Sequence, residues 1–148
     1  HAVLYNIKSQ SEWHTHNEVN GLSLSALGNR LLVNGGRLGA PTRPAQLNNT
    51  LTINGENHDG FHGAGIVAGF TAEGFDFAQG DEGEAIRSAD HSRNMMLVKT
   101  TPQANGYFII YDEVSGAKVT SGDVKNWIET GEAVFWGNAV KVRLESDC

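Results

Sequence analysis

Apolar and polar residues alternate along several short stretches of this chain. Apolar residues alternate with serine over 22–26, with threonine over 51–53, and with polar or basic residues over 140–144. A period of two is typical of β-strands that bury one face. The runs MMLV at 95–98 and YFIIY at 107–111 are more continuously apolar. These two runs predict central strands that are buried on both faces.

Glycine-containing turns separate these stretches. The chain has 18 glycines and 3 prolines, and no stretch repeats apolar residues at helical spacing over three turns. Turn-forming dipeptides recur roughly every ten residues. They are Asn34-Gly35, Asn54-Gly55, Asp59-Gly60, Asn105-Gly106, Ser115-Gly116, Ser121-Gly122 and Thr130-Gly131. We therefore predict an all-β fold with few or no helices: one domain over 1–148, an antiparallel β-sandwich of short strands, jelly-roll-like or of the supersandwich type.

The net charge of −6 is distributed unevenly along the chain. Residues 1–50 carry four basic and two acidic side chains, whereas residues 51–98 carry two basic and eight acidic ones. No sequence cluster of Lys and Arg occurs, so neither nucleic acid nor a membrane surface is an expected partner. No apolar run approaches the roughly 18 residues of a membrane-spanning helix. The basic first third is the part best suited to an anionic ligand.

Two histidines one residue apart, His14 and His16, stand in the stretch WHTHNEVN at 13–20. On a strand, residues i and i+2 point to the same face, which places the two imidazoles side by side. Such a pair can bind zinc if a further ligand comes from another strand, and it can equally supply a general base. An exposed polar strand edge explains the same residues without any chemistry. The only cysteine, Cys148, is the last residue, which excludes an internal disulfide and a cysteine zinc site.

Other titratable residues favour structural roles. His58 and His62 flank the turn signal Asp59-Gly60, which predicts a polar loop rather than a shared set of ligands. The neighbours Asp90-His91 predict a structural hydrogen bond. The acidic residues at 81–84 match no calcium-binding loop and predict a solvated acidic loop.

The order of these motifs resembles that of a known family. The stretch WHTHNEVNGLSLSALGNRLLVNGG at 13–36 is similar to the opening of the β-sandwich domain in heparinase II/III-type polysaccharide lyases. LNNTLTING at 47–55 is similar to a later strand of that domain. GDEGEAIRSADHSRNMMLVK at 80–99 and YFIIYDEV at 107–114 are similar to its next strand pair. The resemblance covers roughly residues 3–145.

The resemblance implies an arrangement and a chemistry. In such lyases the sandwich follows an α/α-toroid, and the cleft between them catalyses β-elimination on a uronate. His14 matches the cleft-facing, catalytic histidine, and His16 matches the first ligand of a structural zinc. Asn34 and Asn48 stand where the family has its other zinc ligands, an aspartate and a histidine. Neutral amides are poor zinc ligands, so we expect no cofactor, with the two amides hydrogen-bonded to His16 instead.

Three hypotheses about function follow. The first is the sandwich of a lyase for acidic polysaccharide, possibly the carboxy-terminal part of a longer protein and inactive without its toroid. The second is a free-standing, non-catalytic carbohydrate-binding module, and the third is an assembly module, for which a second copy of the chain is a further expected partner. Four residues are the expected substrate contacts: Trp13, Asn17, Arg37 and Arg43. The expected location is secreted or periplasmic.

Overall fold

A computed structural model describes residues 1–6, 16–33, 43–59 and 62–116, together with the backbone of 124–126 and 142–145. Its strands are β1 (Ala2–Tyr5), β2 (Gly21–Ala26), β3 (Asn29–Leu32), β4 (Leu51–Ile53), β5 (Gly65–Thr71), β6 (Phe75–Asp81), β7 (Asp90–Val98), β8 (Tyr107–Ser115), β9 (Val124–Asn126) and β10 (Val142–Glu145). The helical structure in these ranges is one 3-10 turn at Ala45–Leu47. None of the described residues forms a helix long and apolar enough to cross a membrane.

The strands form an antiparallel β-sandwich, as predicted. One sheet has the order β1-β2-β3, and the larger sheet has the order β10-β8-β7-β6-β5. Strands β5 to β8 are antiparallel neighbours, whereas β10 runs parallel to β8 at its edge. A further pair, β4 and β9, is also antiparallel. The all-β fold class expected from the period of two is therefore confirmed.

The hydrophobic core lies between the two larger sheets. Leu22, Leu24 and Leu32 from the smaller sheet are at most 4% exposed, and they pack against Met95 and Ile110 of the larger one. Burying a leucine side chain contributes roughly 1.5–3 kcal/mol, so this contact is a main source of cohesion between the layers. The alternation over 22–26 thus places its leucines inward, as the sequence predicts.

The prediction that MMLV and YFIIY are buried on both faces is wrong. Met95 and Ile110 are cross-strand partners that face the core, whereas their neighbours Met96 and Ile109 pair on the outer face. On that outer face Tyr107 is 54% exposed and Ile109 is 43% exposed. Continuous apolar sequence indicates two buried faces only if a second layer covers the outer side, and no described strand does so.

Strand β4 differs from its prediction in the opposite direction. Leu51, Thr52 and Ile53 are each at most 1% exposed, so the threonine face is buried as well as the apolar face. The neighbouring Thr50 is also fully buried, and its hydroxyl donates to the carbonyl oxygen of Val19. Threonine is compatible with this position because its hydroxyl finds an acceptor in the interior.

Two turns, of which the first was predicted, are defined by positive φ angles. Asn54 and Gly55 have φ values of 54° and 70°, and the Glu56 N–H donates to Ile53 O at 2.9 Å. This is a tight turn at the predicted Asn-Gly dipeptide. The β2–β3 hairpin uses a similar left-handed pair, with φ values of 52° at Leu27 and 79° at Gly28. Positive φ at both central residues defines a type I′ turn, which matches the twist of a hairpin.

Candidate functional site

Four of the sequence-predicted site residues fall within the described ranges and lie on neighbouring segments. They are His16, Asn17, Arg43 and Asn48. Trp13, His14, Asn34 and Arg37 lie outside the residues that the structure describes. Together with Glu18, the four described residues form what we call the His16 corner.

The orientation of the His16 ring is fixed by Asn48. His16 Nδ1 lies 2.9 Å from Asn48 Oδ1, and Asn48 Nδ2 donates to Pro44 O at 2.9 Å. Because a carbonyl oxygen only accepts, this second bond directs the amide oxygen toward His16, which must then donate from Nδ1. The hydrogen bond predicted between His16 and Asn48 is confirmed. With Nδ1 bonded to Asn48, Nε2 is the remaining ring nitrogen, and no described residue bonds to it.

Local structure explains why Asn48 is in this position. The 3-10 turn Ala45–Leu47 ends at Asn48, whose backbone N–H donates to Ala45 O at 3.0 Å. The turn itself is anchored at its start, where Ala45 N–H donates to Asn57 Oδ1 at 2.8 Å. Asn48 is fully buried, whereas the side chain of His16 keeps 16% of its surface exposed. A buried amide thus holds a partly exposed imidazole.

Glu18 adds a carboxylate close to the ring. Its Oε1 lies 3.7 Å from His16 Nδ1, and its side chain is 10% exposed. The space for this carboxylate depends on Gly21, because a Cβ there would lie 2.5 Å from Glu18 Oε2. The carboxylate therefore constrains the residue that begins β2.

A backbone hydrogen bond joins the two segments of the corner. Asn17 N–H donates to Arg43 O at 2.8 Å, so the residues before β2 lie against the residues before the 3-10 turn. The imidazole of His16 and the amide of Asn48 thus lie on two segments that this backbone bond holds together. Imidazole and amide groups can hydrogen-bond to the hydroxyl groups of a ligand.

The described residues of the corner do not fit a zinc ion. His16 Nδ1 is hydrogen-bonded to Asn48, whose neutral amide is a weak ligand for zinc. In the described part of the chain, no group of three or more His, Cys, Asp or Glu side chains is arranged to hold a metal. The described residues of the corner instead form hydrogen bonds with one another.

Beneath this corner lies a buried polar network that the sequence did not predict. Arg93 forms a two-bond ion pair with Asp112, with Nε–Oδ1 and Nη2–Oδ2 distances of 2.6 and 2.9 Å. Its Nη1 donates to Asn20 O at 2.8 Å and to Asn49 O at 3.0 Å. His91 Nε2 completes the network by donating to Asp112 Oδ1 at 2.8 Å.

The charges of this network depend on one another. Burial alone would raise the pKa of Asp112, but the Arg93 charge and the hydrogen bonds from His91 and Arg93 outweigh it and keep that pKa well below its ordinary value. Burial lowers the pKa of His91, against the opposing effect of Asp112. The stable form is therefore a charged Arg93–Asp112 pair beside a neutral histidine. The sequence signal is the alternation in which His91 and Arg93 share the inward face of Met95.

The Asp90-His91 hydrogen bond takes a different partner from the one expected. His91 bonds to Asp112 across the strands, while the exposed Asp90 accepts from the Ser115 hydroxyl at 3.4 Å. Adjacent strand residues point to opposite faces, so Asp90 and His91 have no common environment. The structural role predicted for His91 is retained with this change of partner.

His58 and His62 also have separate environments. His58 is 2% exposed; its Nδ1 accepts from Val19 N–H at 2.9 Å, and its Nε2 donates to Leu51 O at 2.7 Å. Burial lowers the pKa of His58 to about 4. His62 is exposed and pairs with Asp59 at 2.8 Å. The two histidines share no ligand set, and 56–59 lies outside any strand or helix, so the predicted loop is confirmed. The burial of His58 was not predicted, and its ring satisfies a buried backbone donor and a buried backbone acceptor.

The predicted solvated acidic loop is wrong at one position. Glu82 is 2% exposed, and its Oε2 accepts from Ile86 N–H at 3.0 Å. Burial raises the pKa of Glu82 to about 7, with further increases from Asp81 and Asp90. Glu84 is exposed, as predicted. The chain turns inward at Glu82 because its carboxylate caps the backbone that leads toward β7.

Comparisons with known proteins leave the assignment at the level of architecture. The chain matches no protein-family model, and no curated protein matches its sequence. The fold and the described residues define an all-β antiparallel sandwich with a polar corner of imidazole, amide and carboxylate groups. The resemblance to heparinase II/III-type lyases rests on the sequence motifs alone.

Proposed function

We propose that this chain is a β-sandwich of the heparinase II/III type that binds acidic, uronate-containing polysaccharide at the His16 corner. In this role the sandwich supplies ligand contacts, and β-elimination requires additional groups from an α/α-toroid. The family comes from the motifs between residues 13 and 114. The location is supported by the side-chain bond between His16 and Asn48 and by the backbone bond between Asn17 and Arg43.

The observation that carries this proposal is the fixed imidazole of His16. Asn48 holds Nδ1, and Nε2 of this partly exposed ring bonds to no described residue. A ring whose orientation is fixed before the ligand arrives loses less conformational entropy on binding. Sugar hydroxyl groups are donors as well as acceptors, and one of them can donate to Nε2.

The charge of the corner favours an acidic glycan over a neutral one. Arg43 belongs to the corner, and guanidinium groups form strong, paired hydrogen bonds with carboxylates. Glu18 is largely buried next to His16, where its negative charge is directed at the imidazole. A uronate has a carboxylate for Arg43 and hydroxyl groups for His16 and Asn17.

Affinity electrophoresis tests this proposal directly. The chain should be retarded in gels containing alginate or heparin and should migrate normally in gels containing neutral dextran. His16→Ala should weaken retention by about tenfold in Kd, because one fixed hydrogen-bonding group is lost. His62→Ala is the matched control, since it removes an exposed histidine elsewhere and should leave retention unchanged.

Salt dependence supplies a second measurement. Retention that depends on Arg43 should decrease between low and physiological ionic strength, because salt screens exposed charges. Arg43→Gln should reduce that salt dependence. Normal migration in both acidic glycans at low salt would contradict the proposal, as would equal weakening by His16→Ala and His62→Ala.

A lyase assay separates catalysis from binding alone. In β-elimination a base removes the C5 proton, the C4–O bond breaks, the electron pair forms the C4–C5 double bond, and the 4-oxygen leaves with a proton. The ultraviolet absorbance of that double bond should not rise with this chain alone. A steady rise that disappears in His14→Ala would instead show an autonomous lyase. Retention without any rise would exclude an autonomous lyase.

A further inference from the structure

Strand β5 forms one edge of the larger sheet. It pairs with β6 on one side, and no described strand pairs with its other side. Its sequence, GIVAGFT, contains no charged residue and no proline. Ile66, Val67 and Phe70 are 49%, 53% and 54% exposed. Natural sheet edges are usually protected by charges or prolines, and β5 has neither.

The direction of the free backbone groups on β5 follows from its hairpin with β6. Ala72 N–H donates to Phe75 O at 2.8 Å, and Phe70 is the cross-strand partner of Phe77. Hydrogen-bonded pairs alternate along an antiparallel ladder, so Phe70 bonds to β6 while the backbone groups of Gly69 and Thr71 point outward. These two residues present a donor and an acceptor each at an exposed edge.

A row of aromatic side chains reaches this edge on the outer face of the sheet. The Phe70 ring lies 5.3 Å from that of Phe77 and 5.4 Å from that of Phe75, measured between centroids. Phe70 is the last member of the row and the most exposed of the three. The row therefore ends in a half-exposed aromatic ring beside free backbone groups.

We propose that a second copy of this chain pairs with β5 in antiparallel orientation, with Phe70 opposite Phe70 of the second copy. In this register Gly69 and Thr71 lie opposite Thr71 and Gly69 of the other chain and exchange four backbone hydrogen bonds. The two phenylalanines occupy the non-hydrogen-bonded position, where side chains are closest. The aromatic row becomes continuous across a two-fold axis.

Three properties of β5 identify a second copy as the partner. Antiparallel pairing of a strand with itself is self-complementary and closes after two copies. The strand is uncharged, so two chains of net charge −6 can meet here without placing like charges in direct contact. The bulge between Ile66 and Ala68 and the turn after Thr71 limit the pairing to about five residues, or about 17 Å. A contact of this length buries less than the roughly 800 Å² per partner of a standard interface, so the dimer is weak.

Sedimentation equilibrium of the 148-residue chain tests the proposal. We expect a monomer–dimer equilibrium with a Kd on the order of 100 µM, and no higher species. Phe70→Lys places like charges opposite each other and should raise Kd by about tenfold or more. Leu27→Lys is the matched control, because Leu27 is 98% exposed in the β2–β3 turn, and its Kd should remain that of the unsubstituted chain.

Disulfide trapping tests the register in a Cys148→Ser background. Phe70→Cys should form a covalent dimer on mild oxidation, because non-hydrogen-bonded partners about 4.5 Å apart at Cα are within disulfide reach. Thr71→Cys, which lies opposite Gly69, should not. The proposal is overturned if the unsubstituted chain stays monomeric up to about 1 mM, about tenfold above the expected Kd. It is also overturned by open-ended oligomers, by equal weakening with Leu27→Lys, or by equal trapping of both cysteines.

Discussion

Arg93 and Asp112 face each other on β7 and β8 and form a two-bond ion pair whose side chains are each 1% exposed. Both charges have been removed from water, so each depends on the other for compensation. The third nitrogen of Arg93 extends to the carbonyl oxygens of Asn20 and Asn49. The pair thus joins the larger sheet to the segments that lead into β2 and β4.

Asp112→Asn should destabilise the fold strongly. The substitution keeps the shape but leaves the Arg93 charge buried without its counterion, which costs about 3–5 kcal/mol. The measurement is the free energy of unfolding from urea titration at neutral pH. Asp76→Asn is the matched control, because Asp76 pairs with Lys99 at 2.8 Å with both side chains about a third exposed. The free energy of unfolding of Asp76→Asn should differ little from that of the unsubstituted chain. Equal losses for the two substitutions would refute the role given to burial.

His58 should make stability dependent on acid. Its pKa of about 4 in the folded chain lies below the ordinary value of 6.5, so the unfolded chain binds a proton first as pH falls. The contribution of the neutral His58 ring to the free energy of unfolding is complete above about pH 6.5. It is lost as pH falls toward 4, by about 3 kcal/mol in total. Urea titrations across this range measure the loss. Glutamine can accept from Val19 and donate to Leu51 like the neutral ring, so His58→Gln should flatten the profile, whereas His62→Gln should not.

Glu82 should act in the opposite direction. Its pKa of about 7 in the folded chain exceeds the ordinary value of 4.5, so the folded chain retains a proton that the unfolded chain has released. Its contribution to stability is present below pH 4.5 and is lost as pH rises toward 7. Glu82→Gln should therefore increase the free energy of unfolding at pH 8 by about 1–3 kcal/mol, which raises the melting temperature. At pH 4 the melting temperature should be unchanged. A Glu84→Gln control, at an exposed position, should show no such difference.

Leu27→Asn should stabilise the β2–β3 hairpin. Leu27 has a positive φ of 52° and is 98% exposed, so its side chain contributes strain without burial. Asparagine tolerates the left-handed region and favours type I′ turns when glycine follows. We expect a gain of about 1 kcal/mol, measured by thermal unfolding. Leu27→Ala keeps the strain and should give no gain; an equal gain in both would point to the lost apolar surface instead.

The sequence predicts the features of this molecule that depend on local pattern. The period of two over 22–26 leads to the sandwich and to its inward leucines. The Asn-Gly dipeptide at 54–55 leads to its turn. The hydrogen bond between His16 and Asn48 is predicted from the resemblance, because an amide at a position where the family has a zinc ligand can still bond to the imidazole.

Features that depend on cross-strand register or on a second layer are not predictable in the same way. Arg93 and Asp112 are separated by 18 intervening residues, and only the pairing of β7 with β8 places them opposite each other. His58 is buried because the backbone groups of Val19 and Leu51 need a partner in the interior. Their need is not visible in the sequence around His58.

The contacts of Arg93 also determine how the His16 corner can change. Arg93 binds main-chain oxygens of Asn20 and Asn49, each within a few residues of His16 or Asn48. A carbonyl oxygen is present whatever the side chain, so this anchor does not depend on which residues stand in the corner. Substitution there can alter the side chains of the corner while the two segments keep their positions. The buried charge of Arg93 thus allows the surface side chains of the corner to vary during evolution while the backbone beneath them is retained.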